Sequence, residues 1–241
     1  MKPAVKYLSC GDTALAVEFG DRVDRALSAM VVALARRVEE ARLSGVVETV
    51  PTFRSLLIHY SPLRTSASRL RTQIDALLTT GAGEPGTGRL WRVPACYEGD
   101  LAPDLGEVAR RSGLTRSEVI TTHTAQRYYV YMLGFLPGFP YMGDLPEPLR
   151  LPRRESPRVK VPAGSVSIAL NMTAVYSFQS PGGWHLIGRT PVCLFDTRRM
   201  PPALLQPGDA VCFDAVSRTE FHSISTDLGR GAYRLEPEHT A

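Results

Sequence analysis

The feature that most constrains this chain is the run Thr80-Gly-Ala-Gly-Glu-Pro-Gly-Thr-Gly88. It offers no large apolar side chain to bury, and its glycines and proline interrupt helix and strand alike. A single hydrophobic core cannot be threaded through such a stretch. Two bodies are therefore expected, residues 1–80 and 89–241, joined by a linker at 81–88. At 241 residues the chain is long enough to bury real cores without disulfide or metal staples.

In the first body, Ala4–Ser9 and Ala14–Phe19 read as short strands around the turn Gly11-Asp12. Leu27, Met30, Val31, Leu34 and Val38 recur at three- and four-residue spacing, which predicts a helix stopping near Gly45. Val46–Val50 and Ser55–Tyr60 read as strands, and a second helix places Leu70, Ile74, Leu77 and Leu78 on one face. The order strand, strand, helix, strand, strand, helix predicts an α+β sandwich with helices on one face of a small sheet.

The second body opens with a strand at Leu90–Tyr97. Two helices follow, the first capped by Asp104 with Glu107, the second by the S/T-x-x-E pair Thr115 and Glu118. His123 lies near the end of the second helix, and Tyr128–Leu133 reads as a strand. From Gly134 to Pro162 there is no periodicity. Short strands return at Ser165–Leu170, Ala174–Phe178, Trp184–Ile187, Val192–Asp196 and Ala210–Asp214, spaced by Gly and Pro turns, as in a mostly β barrel or sandwich. The tail from Ser217 is polar, with one candidate strand at Ala232–Leu235.

Composition excludes several functions. Hydrophobic residues at 44%, charged residues at 22% and a net charge of +4 describe a globular protein without the basic, aromatic-interleaved face of a nucleic-acid binder. Asp12 and Glu18 break any leader pattern, and no apolar run approaches the roughly 18 residues of a membrane span. Cys10, Cys96, Cys193 and Cys212 are far apart, which predicts reduced thiols and a cytoplasmic protein. None of the histidines shares a metal-ligand spacing with another or with a cysteine, so no metal is expected.

Chemistry concentrates in the Pro-rich stretch. Seven prolines between Pro137 and Pro162 stiffen it, and it carries Arg150, Arg153, Arg154, Arg158 and Lys160 against Glu155 alone. Guanidinium groups suit bidentate capture of carboxylate or phosphate, although a solvated loop face would look the same. Gly182 and Gly183, ahead of Trp184, permit positive φ and an anion-binding nest, or else form a tight turn. His123 is either a general acid or base or a packing residue. There is no GxxxxGK[ST] phosphate loop, no G-x-S-x-G elbow, no dinucleotide fingerprint and no biotin-attachment segment.

The residues resemble one family in their order. His123, Tyr128, Leu133-Gly-Phe-Leu-Pro-Gly-Phe-Pro-Tyr141, Pro152-Arg-Arg154, Pro157-Arg158 and Val161-Pro-Ala-Gly-Ser-Val166 are followed by Tyr176, Ser180-Pro-Gly-Gly-Trp184, Leu186-Ile-Gly188, Thr190 and Pro207-Gly-Asp209. This pattern resembles the B subunit of 5-oxoprolinase, a family also called KipI-like or allophanate hydrolase subunit 1, over roughly residues 7–214. The resemblance implies a ferredoxin-like N-terminal domain and a cyclophilin-like β-barrel C-terminal domain. It further implies pairing with a KipA-like C subunit and, with a LamB/YcsF-type partner as the A subunit, ATP-dependent cleavage of the small-molecule lactam 5-oxoproline to glutamate. ATP and its Mg2+ would serve the assembly, on this chain or on another.

On that reading Arg153, Arg154 and Arg158, with Tyr176, Gly182, Gly183 and Trp184, bind the substrate carboxylate or a phosphorylated lactam. Arg158 and His123 would be the catalytic pair, with Ser165 and Thr173 as secondary contacts. Some members of the family instead inhibit a histidine kinase, and a part in urea or allophanate metabolism is a third alternative. The chain departs from the family pattern at Met172, where Gln is usual, at Ser177, where Pro is usual, and at Leu170, where Gly is common. A thioether cannot donate the hydrogen bond that Gln could.

Overall fold

The structure is a computed structural model that describes residues 4–79 and 88–238. The chain divides into two compact units, Met1–Thr87 and Gly88–Ala241. Apart from Gly88, the predicted linker lies outside the described residues.

The first unit contains strands β1 (Lys6–Cys10), β2 (Ala14–Glu18), β3 (Val46–Pro51) and β4 (Ser55–Tyr60), with helices α1 (Arg25–Ala41) and α2 (Ala67–Thr79). The Asp24 carboxylate caps α1 by accepting from Ala26 N and Leu27 N. Helix α1 ends at Arg42, which takes the left-handed conformation (φ 45°), ahead of the stop expected at Gly45. Val31, Leu34 and Val38 of α1 and Leu70, Ile74 and Leu78 of α2 bury against Leu15, Val17, Leu56 and Ile58 of the sheet. The sheet runs β1-β2-β4-β3, antiparallel throughout, so β4 lies between β2 and β3, which α1 connects. That is a split βαβ arrangement. The element order ββαββα is not the βαββαβ order of the ferredoxin-like fold, so the topology does not establish that finer name.

The second unit is built on a seven-stranded sheet, ordered β12-β9-β10-β7-β6-β13-β5. Its strands are β5 (Leu90–Ala95), β6 (Tyr128–Leu133), β7 (Pro140–Gly143), β9 (Ser165–Ala169), β10 (Met172–Val175), β12 (His185–Arg189) and β13 (Ala210–Ala215). Just beyond β5, Cys96 exchanges both backbone hydrogen bonds with Arg189 at the end of β12, at 2.8 and 2.9 Å. The two edges of the sheet are thereby joined into a nearly closed barrel, which removes most of an exposed strand edge. Val166, Ile168, Val175, Ile187, Val211 and Phe213 fill the inside, together with Leu105 and Val108 of α3 (Leu105–Ser112) and Val119 of α4 (Arg116–Thr124).

Several expectations are corrected. The Pro-rich stretch is not structureless, because it contains β7, a 3-10 turn at Glu147–Leu149 and β8 (Arg158–Val161), which pairs with β11 (Ser180–Gly182). Val192–Asp196 is not a strand. Val192 and Leu194 are buried in the core, but the segment's only bridge is Phe195 to Ala203. Ala232–Leu235 forms no strand either. The tail instead contains α5 (Arg218–Arg230), started by a capping box between Ser217 and Glu220.

Alternation along β9, β10 and β12 separates two environments. Ile168, Thr173 and Val175 face the barrel interior, where Thr173 bonds His123. Ala169, Met172, Ala174 and Leu186 face the other way, into a second cluster with Phe139, Val161, Tyr176 and Trp184.

Candidate functional site

The residues selected from the sequence fall on both sides of the barrel wall. Inside lies His123, fully buried. Its Nδ1 is 2.9 Å from the Tyr97 hydroxyl and its Nε2 is 3.0 Å from Thr173 Oγ1. The Thr173 hydroxyl spends its one proton on the Ser167 carbonyl at 3.0 Å. It can therefore only accept from His123, so Nε2 carries the imidazole proton and the Tyr97 hydroxyl donates to Nδ1. Rings of Phe213 and Tyr128 stack at 4.8 and 5.1 Å. Burial lowers the His123 pKa to about 3, because a charged imidazole would lose its hydration. Solvent does not reach this neutral, doubly hydrogen-bonded ring. Its surroundings are those of a packing residue, and Thr173 is equally buried.

Ser165 is also occupied, its hydroxyl donating to the Pro162 carbonyl at 2.8 Å.

On the outside, Phe139, Tyr141, Tyr176 and Trp184 form an edge-to-face aromatic cluster with centroids 5.1 to 6.2 Å apart. Met172 packs against it. Burial raises the Tyr176 pKa, while the nearby Trp184 backbone N–H and the Arg153 and Arg158 guanidinium groups oppose the rise. Burial also raises the Tyr141 pKa, and Arg153 lowers it. Arg153 is exposed and has no hydrogen-bond or ion-pair partner among the described residues. A free guanidinium thus stands near two phenolic groups of the aromatic cluster.

Arg154 and Arg158 differ from Arg153. Asp104, expected to cap α3, makes no capping bond. Its carboxylate, 4% exposed, instead accepts from Arg158 Nη1 and Nη2 at 2.8 and 2.6 Å, from Arg154 Nη1 at 3.1 Å and from Leu186 N at 2.7 Å. Glu107 adds a second contact to Arg154 at 3.4 Å. The Arg158 side chain remains 26% exposed, so it can still present one edge while Asp104 fixes its plane. Sequence reasoning missed this ionic cluster because its partners lie about fifty positions apart.

Neither Gly182 nor Gly183 has positive φ, so the expected anion nest is not formed. Gly182 is needed for another reason. A Cβ there would sit 2.1 Å from the Tyr176 hydroxyl, so the missing side chain is what lets Tyr176 close over β11.

Among the described residues, no cluster of three or more His, Cys, Asp or Glu side chains could hold a metal ion. No helix among them is long and apolar enough to cross a membrane.

The family described as carboxyltransferase domain, subdomain C and D, matches residues 5–205. The B subunit of 5-oxoprolinase from Bacillus subtilis (strain 168) is 38% identical over 224 residues, covering 88% of this chain and 93% of that protein. Its counterpart of the same name in Escherichia coli O157:H7 is 41% identical over 217 residues, covering 88% and 96%. The crystal structure of TTHA0988 superposes with a TM-score of 0.77 at 36% identity, over 85% of this chain and 40% of that one. This chain thus spans well under half the length of that solved chain.

Proposed function

The chain belongs to the carboxyltransferase subdomain C and D family, among the B subunits of 5-oxoprolinase, and we propose that it acts in that place in an ATP-dependent 5-oxoprolinase assembly. The near full-length match to a named B subunit carries this reading. KipA-like and LamB/YcsF-type proteins would be its partners. The greater length of the TTHA0988 chain supports a site completed by further polypeptide. In this reading the first unit is a permuted relative of the ferredoxin-like fold, the second is cyclophilin-like, and the assembly is cytoplasmic.

A lactam amide is a poor electrophile. Transfer of the terminal phosphoryl group from ATP to its carbonyl oxygen, with ADP leaving, opens that carbon to water, and loss of phosphate and cleavage of the ring C–N bond then give glutamate. The outer patch is where this chain would contribute. Arg153 pairs with the substrate carboxylate or a phosphorylated oxygen, and Arg158, held by Asp104, offsets developing negative charge. Tyr176, Trp184 and Gly182 shape the apolar wall. His123 and Thr173 hold β10 from within rather than touch the substrate, which replaces the proton-relay role expected for His123. Met172, on the outer face of β10, occupies the position at which a hydrogen-bonding Gln would tune recognition. Mg2+ would accompany ATP; the cationic and aromatic groups here suit phosphate oxygens and not the metal.

The test is ATP hydrolysis and glutamate release by this chain co-expressed with the products of its neighbouring genes, repeated with each component omitted. Turnover should require this chain and fall at least about tenfold in Arg153→Ala. Arg153→Ala is the cleaner probe, because Arg158→Ala would strand the buried Asp104 carboxylate. A stable assembly without ATP turnover on any lactam would favour a regulatory binding module. That second reading draws on Phe135, which is 61% exposed and held at φ 68°, a conformation costly for a bulky residue. Turnover on allophanate instead would point to urea metabolism.

A further inference from the structure

We propose that the open cleft between the 3-10 turn Gly99–Leu101 and helices α3 and α4 is a second binding site, one for a small phosphorylated anion. The cleft encloses about 730 Å³, within the range of small-molecule sites, and none of the residues of the aromatic patch lines it.

Two arginines, Arg110 of α3 and Arg116 of α4, line the cleft. The Arg116 side chain reaches from α4 across to α3 and lies on Gly106, where a Cβ would sit 2.8 Å from Nη2 and 3.3 Å from Nε. Arg110 is four residues beyond Gly106 on α3, hence on the same face, and helical side chains lean toward the N-terminus. Helix geometry thus puts Arg110 on the side of α3 that Arg116 covers, and both line the same cleft. Neither arginine has an ion pair or hydrogen bond among the described residues.

Like charges placed along one cleft repel, and neither arginine is ion-paired with a carboxylate among the described residues. Glu107 lines the cleft but is engaged by Arg154 at 3.4 Å and Arg111 at 3.6 Å. Glu98 also lines it, at the end formed by the 3-10 turn. Two planar forks with no acceptor suit adjacent phosphate groups, and Tyr97 supplies a firm floor because its hydroxyl is tied to His123.

Isothermal titration of the full chain at low ionic strength, with metal-free ATP, pyrophosphate and citrate as probes, tests this. One phosphate probe should bind per chain. The double variant Arg110→Ala/Arg116→Ala should weaken it at least about tenfold, while Arg230→Ala, at an exposed arginine of α5 that does not line the cleft, leaves it unchanged. Gly106→Leu, which puts a side chain where Arg116 lies, should also remove binding without loss of the folded circular dichroism spectrum. ATP binding more tightly than pyrophosphate would identify a nucleotide as the ligand, and equal affinities would identify the phosphates alone. No binding, binding unchanged in the double variant, or citrate binding as tightly as pyrophosphate would each overturn the proposal. Because binding is read on the isolated chain, its failure is separable from failure of the lactam reading.

Discussion

Replacing His123 by Gln should make the second unit less sensitive to acid. The folded imidazole, with its pKa lowered to about 3 by burial, stays neutral across the physiological range, whereas the unfolded chain protonates it below about 6.5. Unfolding therefore takes up a proton between those limits, so stability is fully present above pH of about 6.5 and falls as pH drops toward about 3. Between pH of about 7.5 and 5 the loss is about 2 kcal/mol. The size of that loss is set by the unfolded value, since any folded pKa well below 5 gives the same result.

Gln retains an acceptor for the Tyr97 hydroxyl and a donor for Thr173 but cannot titrate. All other groups titrate alike in the two proteins, so their difference isolates His123. Both tryptophans, Trp91 and Trp184, lie in the second unit, and fluorescence during urea unfolding reports that unit alone. With a slope of about 2 kcal/mol/M, the wild-type midpoint should fall by about 1 M more than that of the variant. Equal losses, to within about 0.5 kcal/mol, would mean that His123 meets solvent and would refute its assignment to the core.

Asp104→Ala should cost about 3 kcal/mol, at the low end for a broken buried pair, because Arg154 and Arg158 remain 23% and 26% exposed. Chemical denaturation with a double-mutant cycle against Arg158→Met checks it, and a loss below about 1 kcal/mol would mean that the cluster is not structural. Gly182→Ala should destabilise by about 1–3 kcal/mol by forcing Tyr176 aside, with a change in the near-ultraviolet dichroism of Trp184. Gly183→Ala is the control, because its Cβ would meet nothing nearer than 3.7 Å. Equal costs at the two glycines would show that Tyr176 does not need the Gly182 space.

What could be read from the sequence followed from local physics. The spacing of Leu27, Val31, Leu34 and Val38 placed α1, and the Thr115 and Glu118 pair marked the start of α4, where both halves of the capping box are present. The same S/T-x-x-E rule was available at Ser217 and Glu220, but a polar tail with Phe221 as its one buried apolar anchor gave α5 no visible stripe. Strand β7 was hidden because Pro140 suggests a loop. As the first residue of the strand, however, proline needs no ladder donor there. Asp104 shows the limit most clearly. Beside Glu107 it has the local form of a helix cap, and only the fold brings Arg154 and Arg158 to it. A local rule cannot anticipate a carboxylate diverted from its own helix to a partner fifty residues away.

The divide across β10 explains why a continuous motif selected residues of unlike purpose. Adjacent positions on a strand point to opposite faces, and a slip of one residue would exchange them. Thr173 therefore completes a hydrogen-bonded chain inside the barrel, while Met172 meets the aromatic cluster outside. The interior chain is closed: each proton of Tyr97, His123 and Thr173 has one acceptor, so truncating any of the three to an apolar side chain leaves a buried group unsatisfied. The outer position carries no such obligation. Met, Gln or another side chain of similar length can stand at 172 without disturbing the barrel, so the chemistry of this face can vary while the fold stays constant. Lost activity in a Thr173 or His123 variant consequently says nothing about substrate contact unless stability is measured beside it. At Met172 or Arg153 the same loss, in a protein of unchanged stability, points to the patch itself.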